Sequence, residues 1–265
     1  MVEPRDHKLV VVTGGAGGGI GQGVSTVLAR EGWQVLIVDT DQAAAASLVD
    51  RLESERLQVK ALIADLTDDA TPDAIVEAAL SWGSRIDGLV NNAGISAPNL
   101  PADVTDAEYD RITALNLRAI FRVSRAAVGP LSRRGGAIIN ISSVHALATA
   151  EGNAIYAATK AAVLGLTRGL AVDLGANGIR VNSVLPGLVD SPQSRRVLAG
   201  ITDDVEAWMT DFVKRRQVLR HTVDAKDVGN LVAFLLGDRA RSITGQSLVV
   251  DAGLTALLFD REARS

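Results

Sequence analysis

Tyr156 and Lys160, four positions apart in Tyr156-Ala157-Ala158-Thr159-Lys160, place a phenol and an ammonium on one face of a segment that reads as helix. A phenol with a pKa of about 10 is a poor base near neutrality, but an adjacent cation favours the phenolate. Tyr156 is therefore a candidate general acid/base. Ser143 stands thirteen positions upstream, just past the apolar run Ala137-Ile138-Ile139-Asn140-Ile141, which reads as a strand delivering the hydroxyl to a sheet edge. A hydroxyl, a phenol and an ammonium converging on one atom could steady a developing oxyanion and move one proton. A tyrosine and a lysine at this spacing, taken alone, describe an ordinary helix surface, so the surrounding elements decide the reading.

Those elements begin with Leu9-Val10-Val11-Val12, a short buried strand running into Thr13-Gly14-Gly15-Ala16-Gly17-Gly18-Gly19-Ile20-Gly21 and then a helical pattern. Strand, glycine turn and helix form a nucleotide-binding arrangement, in which glycines admit a pyrophosphate and the free N–H groups of the helix start meet it. A second strand, Val35-Leu36-Ile37-Val38, ends in Asp39. That carboxylate is placed to accept hydrogen bonds from both hydroxyls of an adenosine ribose and would repel a 2′-phosphate, which favours NAD over NADP. The competing role for Asp39 is to cap a helix beginning near Gln42. Thr40 follows it, and the glycine turn holds no arginine to welcome a phosphate.

Further strand patterns at Val59–Asp65, Gly88–Asn91, Ala137–Ser142, Arg180–Val184 and Ser247–Asp251 alternate with helical ones. Alternation of this kind predicts an α/β fold, a single-domain, doubly wound parallel sheet of about seven strands with helices on both faces. Ligands of such sheets bind at the carboxyl ends of the strands, where Gly14, Asp39, Asp65, Asn91, Ser143 and Pro186 all fall. The 265 residues, 47% of them hydrophobic, can fill one such core. A net charge of −4, a sequence pI near 5.4 and no basic stripe argue against a nucleic-acid partner. Polar Met1 to Lys8 leads straight into the first strand and no apolar run could span a bilayer, so a cytoplasmic location is the expectation. The absence of cysteine excludes disulfides and thiolate metal sites, and His7, His145 and His221 have no ligand spacing, so no metal is expected. In the irregular stretch from Ser191 to Thr222, Val205, Trp208, Met209 and Phe212 mark an amphipathic helix. Arg195, Arg196, Lys214, Arg215 and Arg216 there could draw an anionic substrate, although a solvated basic face is the plainer reading. His145, two residues past Ser143, could face a substrate, against a plainer role in packing or at the surface.

The ordered set Thr13-Gly14 with Gly19-Ile20-Gly21, Asp39, Asp65-Leu66, Asn91-Asn92-Ala93-Gly94, Asn116, Ser143, Tyr156 with Lys160, and Pro186-Gly187 resembles the short-chain dehydrogenase/reductase family over nearly the whole chain. The resemblance implies that Asp65 and Leu66 border the adenine and that Asn92, Ala93 and Gly94 support the cofactor. It implies that Val189 meets the nicotinamide carboxamide through its backbone, and that Lys160 holds the nicotinamide ribose. It makes Asn116, in the helical stretch Asp106–Arg133, a relay of protons through water to the lysine, where the residue alone would read as a locally bonded helix amide. It also implies a lid over residues 191–222 and a homotetramer with paired helices from neighbouring subunits, for which Ala157, Ala161, Leu164, Arg168 and Val172, along one side of the Tyr156 helix, offer surface a partner would cover. The activity it implies is NAD-dependent oxidation of a secondary alcohol or reduction of its ketone. An NADPH-dependent carbonyl or 3-oxoacyl reductase is the alternative, and a nucleotide sensor without turnover is the alternative of another class. One departure stands out: four residues, Gly15 to Gly18, separate Gly14 from Gly19, where the family has three. The expectation is that Gly17 or Gly18 bulges outward while Gly14, Gly19 and Gly21 keep their places.

Overall fold

The aliphatic run at the amino end forms β1 (Leu9–Thr13), whose five side chains are all buried, as befits a strand covered on both faces. The computed structural model describes residues 7–260, so most of the polar stretch Met1 to Lys8 lies outside the described residues. Six further strands are β2 (Gln34–Asp39), β3 (Val59–Ile63), β4 (Gly88–Asn91), β5 (Gly136–Ile141), β6 (Ile179–Pro186) and β7 (Ser247–Val250). They lie in the order β3-β2-β1-β4-β5-β6-β7, and every neighbouring pair is parallel. The order reverses between β1 and β4, which opens a crevice at their carboxyl ends.

Alternation along β1 splits the core in two. Val10 and Val12 face α1 (Ile20–Arg30), α2 (Gln42–Ser54) and α9 (Ala225–Leu236), meeting Val24, Leu28, Leu48 and Val232. Leu9 and Val11 face the other side, with Ile75 of α3 (Thr71–Gly83), Val123 of α5 (Ala119–Ser132) and Leu170 of α6 (Ala154–Leu174). Of the alanine cluster on α2, only Ala45 is buried, the packing and surface role its composition suggests.

Several boundaries differ from the sequence patterns, each for a local reason. β3 stops at Ile63 rather than Asp65, because the Asp65 carboxylate turns back to accept hydrogen bonds from the Thr67 amide and hydroxyl at 2.8 and 2.7 Å. The helical stretch expected over Asp106–Arg133 is three pieces: α4 (Asp106–Thr113), a π-helical turn at Ala114–Arg118, and α5. The irregular region after β6 holds α7 (Pro192–Leu198) and α8 (Val205–Arg216), and on α8 only Met209 is buried.

A polar chain crosses the apolar sheet beneath the crevice. The Asn91 amide donates to Ser124 Oγ on α5 at 3.0 Å and to Asn140 Oδ1 on β5 at 2.8 Å. Asn140 in turn donates to Thr167 Oγ1 on α6 at 2.9 Å. All four residues are buried and each has a partner, so the chain adds specificity without an orphaned polar group.

Candidate active site

The glycine turn joins β1 to α1 at the crevice. Gly14 has φ +61°, and a Cβ there would lie 2.8 Å from Ala93 Cα. A Cβ on Gly21 would lie 1.9 Å from the Gly14 carbonyl oxygen, a backbone contact that nothing can relieve. The extra length is taken up elsewhere: Gly17 is exposed with nothing near it, and Gly18, at φ +74°, sits against Pro192 of α7. The longer turn therefore bulges at Gly17 and Gly18, while Gly14 and Gly21 are held tightly. Helix α1 starts at Ile20 with Gly19 as its cap and no side chain satisfying its first N–H groups. Those donors suit an anion.

Asp39 borders the same cleft. Its Oδ2 accepts from the Ala16 amide at 2.9 Å and its Oδ1 from the Asp41 amide at 3.1 Å, so it anchors the glycine turn. The helix-cap role belongs to Asp41, which accepts from Ala44 N at 2.9 Å. Across the crevice Asn92 ties the two strand ends together, donating to the carbonyls of Thr13 and Gly14 at 3.0 and 2.8 Å. Thr13 Oγ1 accepts from the amides of Asn92 and Ala93 at 3.1 and 3.3 Å.

Ser143, Tyr156 and Lys160 converge at the base of this cleft. The Ser143 hydroxyl follows the end of β5, accepts from His145 N at 3.2 Å, and lies near enough to the Tyr156 phenol to favour its ionised form. One turn along α6, Lys160 is 3% exposed; its Nζ donates to the Ile141 carbonyl at 3.0 Å and lies 5.6 Å from the Tyr156 ring centroid. Ser142 Oγ donates to the Lys160 carbonyl at 2.8 Å and pins α6 against β5. A Cβ on Gly94 would come within 3.2 Å of both Lys160 Nζ and Asn116 Oδ1, so a side chain in the loop after β4 would press on both groups.

Asn116 is fully buried and locally bonded: Oδ1 accepts from Ile95 N at 2.9 Å, and Nδ2 donates to Ile95 O at 2.9 Å and Thr159 Oγ1 at 3.2 Å. Both amide hydrogens are committed to clamping the β4 loop to α6. Leu66 is packed in the second core cluster, and Asp65 Oδ1 accepts from Thr67 in its own turn, while no hydrogen bond engages Oδ2 among the described residues. After Pro186, Gly187 passes so close to Asp251 that a Cβ would meet it at 2.7 Å. The Val189 side chain is buried, and its carbonyl accepts from Ser194 Oγ at 2.7 Å.

Cleft residues not singled out from sequence include Ser142, Ser191, the cap of α7, and Gln193 in its first turn. The available signal was Ser191-Pro192 past the β6 end, a cap followed by proline at the first helical position. The basic residues of this region are largely neutralised. Arg195 pairs with Asp190 and Glu206, while Arg215 and Arg216 both reach Asp260.

Burial sets the electrostatics. It pushes the Tyr156 phenol above its ordinary value, with the Ser143 hydrogen bond pulling the other way, and it lowers the Lys160 ammonium to about 8. The expected lowering of the phenol by its neighbouring cation is thus outweighed by desolvation of both groups. The residues present fit a dinucleotide: uncapped helix donors, a cleft lined by Gly14, Gly19 and Gly21, and an ammonium with donors to spare.

Residues 15–255 match a family model described as enoyl-(acyl carrier protein) reductase. The chain is 36% identical over 263 residues to a cyclopentanol dehydrogenase of Comamonas sp., covering 95% of this chain and 98% of that protein. It is 35% identical over 256 residues to 2-(S)-hydroxypropyl-CoM dehydrogenase 3 of Xanthobacter autotrophicus, with the same coverage. A putative ketoacyl reductase of the monensin polyketide synthase from Streptomyces virginiae is 35% identical over 254 residues, covering 93% of this chain and 97% of that protein. The crystal structure of gox2181 superposes with a TM-score of 0.86 at 29% identity, covering 95% of this chain and 97% of that one.

The lowered Lys160 makes a testable demand on stability. Between about pH 8 and pH 10.5 the unfolded chain holds a proton that the folded lysine has lost, so unfolding free energy rises with pH across that window. The burden is fully present below the folded value and gone above the unfolded one, a difference of about 3 kcal/mol. Lys160→Met is expected to be more stable than the parent at neutral pH and to lose this rise. Urea unfolding of both proteins across the window checks it; parallel pH curves would refute it.

Proposed function

The chain belongs to the short-chain dehydrogenase/reductase family and is a nicotinamide-dependent oxidoreductase of CH–OH groups, and on that premise we propose that it uses NAD and acts on a secondary alcohol or its ketone. The observation that carries the proposal is the grouping of the Ser143 hydroxyl, the Tyr156 phenol and the Lys160 ammonium, with Lys160 Nζ 5.6 Å from the phenol ring centroid and bonded to Ile141 at the carboxyl end of β5. A bound nicotinamide supplies or accepts the hydride, which leaves the protein one proton to manage. Tyr156 takes that proton from the alcohol oxygen, or returns it to the carbonyl oxygen. Ser143 orients the oxygen and steadies the charge it gains. Lys160 spends one donor on Ile141 and keeps two for the cleft, where ribose hydroxyls would meet it. Asn116 positions Lys160 by holding α6 and the β4 loop together. Gly19, Ile20 and Gly21 receive the pyrophosphate at the head of α1.

Asp39 supports the choice of NAD. Each of its oxygens accepts one backbone hydrogen bond and retains capacity for a ribose hydroxyl, whereas a phosphate would meet its charge. An NADPH-dependent 3-oxoacyl reductase remains the competing reading, supported by the ketoacyl reductase relative and opposed by this carboxylate. A cytoplasmic location belongs to the same reading; no helix among the described residues is long and apolar enough to cross a membrane.

A homotetramer completes the proposal. On α6, Ala161, Gly165, Arg168 and Val172 are exposed, Val172 at 82%, and on α5 Phe121 is 43% exposed. Leu164, expected from sequence on the same outer side, is instead buried within its own subunit. Small residues on the outer face of a long helix allow close self-packing under dihedral symmetry.

Three outcomes are expected. Tyr156→Phe should retain NADH binding by fluorescence titration while turnover falls by at least about a thousandfold; substantial residual oxidation would refute the acid/base role. The parent should bind NAD more tightly than NADP, and Asp39→Ala should narrow that gap and weaken NAD, since Ala16 N also loses its acceptor. Tighter NADP binding by the parent would overturn the cofactor assignment. Light scattering at micromolar concentration should give four times the chain mass, and a monomer would contradict the assembly.

A further inference from the structure

His145 is the titratable group nearest the reacting residues that the mechanism above leaves unused. It lies in the short 3-10 turn Val144–Ala146, capped by Ser143, whose hydroxyl accepts the His145 amide hydrogen at 3.2 Å. The backbone of His145 is thus tied to the hydroxyl of Ser143, the residue that acts on the Tyr156 phenol. Its imidazole meets the Tyr156 ring at a centroid separation of 5.5 Å and an interplanar angle of 74°, an edge-to-face contact. Nδ1 is 2.8 Å from Thr149 Oγ1. No second protein partner for the ring nitrogens occurs among the described residues, which leaves Nε2 with an unused hydrogen-bonding position.

Resting on the proposed alcohol oxidation, we infer that His145 is a substrate-positioning residue that selects secondary alcohols bearing a second hydroxyl close to the reacting one. A ring packed on Tyr156 and hinged at Ser143 lies within the reach of a small substrate whose reacting oxygen sits on those two residues. The tautomer of His145 decides whether Nε2 donates or accepts, and a hydroxyl satisfies both cases. Burial holds the imidazole below its ordinary value, so at neutral pH it offers a hydrogen bond rather than a charge. Arg195 on α7 is already paired with Asp190 and Glu206. The segment after His145 is fixed to the loop after β4, Asn99 N donating to Gly152 O at 2.9 Å, so the histidine is presented on a supported segment. A buried or half-buried polar group that a substrate can satisfy discriminates well against an analogue lacking the matching hydroxyl.

The test compares matched substrates, cyclopentanol with 1,2-cyclopentanediol and 2-butanol with 2,3-butanediol, on the parent, His145→Phe and His145→Gln. The phenylalanine keeps the ring contact with Tyr156 and removes the hydrogen bond; the glutamine keeps a polar group at the position. The parent should favour each diol in kcat/KM by at least about tenfold, more than a second equivalent hydroxyl supplies by statistics. His145→Phe should lose that preference through KM for the diol while leaving the mono-alcohols within about twofold, and His145→Gln should restore part of it. Diol binding to the NADH complex, followed by cofactor fluorescence, should weaken in step. A parent without diol preference, or a phenylalanine variant that slows diols and mono-alcohols alike, overturns the role of His145. A parent that binds NADH but oxidises none of the four alcohols and reduces none of their ketones overturns the proposed alcohol oxidation itself.

Discussion

An ammonium buried with no carboxylate paired to it among the described residues is the constraint around which this molecule is arranged. Lys160 is held by the Ile141 carbonyl and faces the Tyr156 ring, and burial alone moves its titration downward. Keeping a cation there costs stability, so its surroundings have to be rigid enough to prevent its escape to water. Ser142 locks the helix backbone at the lysine itself, Thr159 bonds the Tyr156 carbonyl one turn back, and Asn116 reaches in from the π-helical turn. The widened turn at Ala114–Arg118 is part of the same support, since it carries the Asn116 amide into contact with both Ile95 and Thr159. The elements that hold the lysine are those that bring the serine and tyrosine together.

Much of this was legible in the sequence because it followed from period and punctuation. Aliphatic runs gave the strands, Gly14 to Gly21 marked the first crossover, and polar residues just past the strand ends marked the crevice. What escaped was anything decided by competition between neighbours. Asp39 qualified as the cap of α2 from sequence, and only the fold shows Asp41 in that place, on Ala44, while Asp39 braces the glycine turn. Asp65 looked like a strand residue until Thr67 claimed its carboxylate. Leu164 looked like an outward residue of α6, but the helix turns that edge against its own subunit. The direction of the Tyr156 titration was also hidden, since a sequence shows the cation but not the depth of burial.

The lengthened glycine turn shows how an insertion is absorbed. The strict positions are those where backbone meets backbone, Gly14 against Ala93 and Gly21 against Gly14 itself. The added length appears where nothing is near, at Gly17, and where the neighbour is the ring of Pro192 at Gly18. The turn consequently touches the first residue of α7, so the glycine loop and the segment after β6 share a boundary.

The amide chain through Ser124, Asn91, Asn140 and Thr167 has a consequence for how this protein can change over generations. Asn91 and Asn140 stand directly opposite in the β4–β5 register, and a slip of one residue would separate them. Replacing all four residues with apolar ones of matching shape could be nearly neutral, yet each single replacement strands a buried partner at a cost of about 1–3 kcal/mol. Every route between the polar and the apolar version therefore crosses a valley. The four positions behave as one inherited unit, and the strand pairing beneath the catalytic groups is kept in place by the difficulty of leaving it one step at a time.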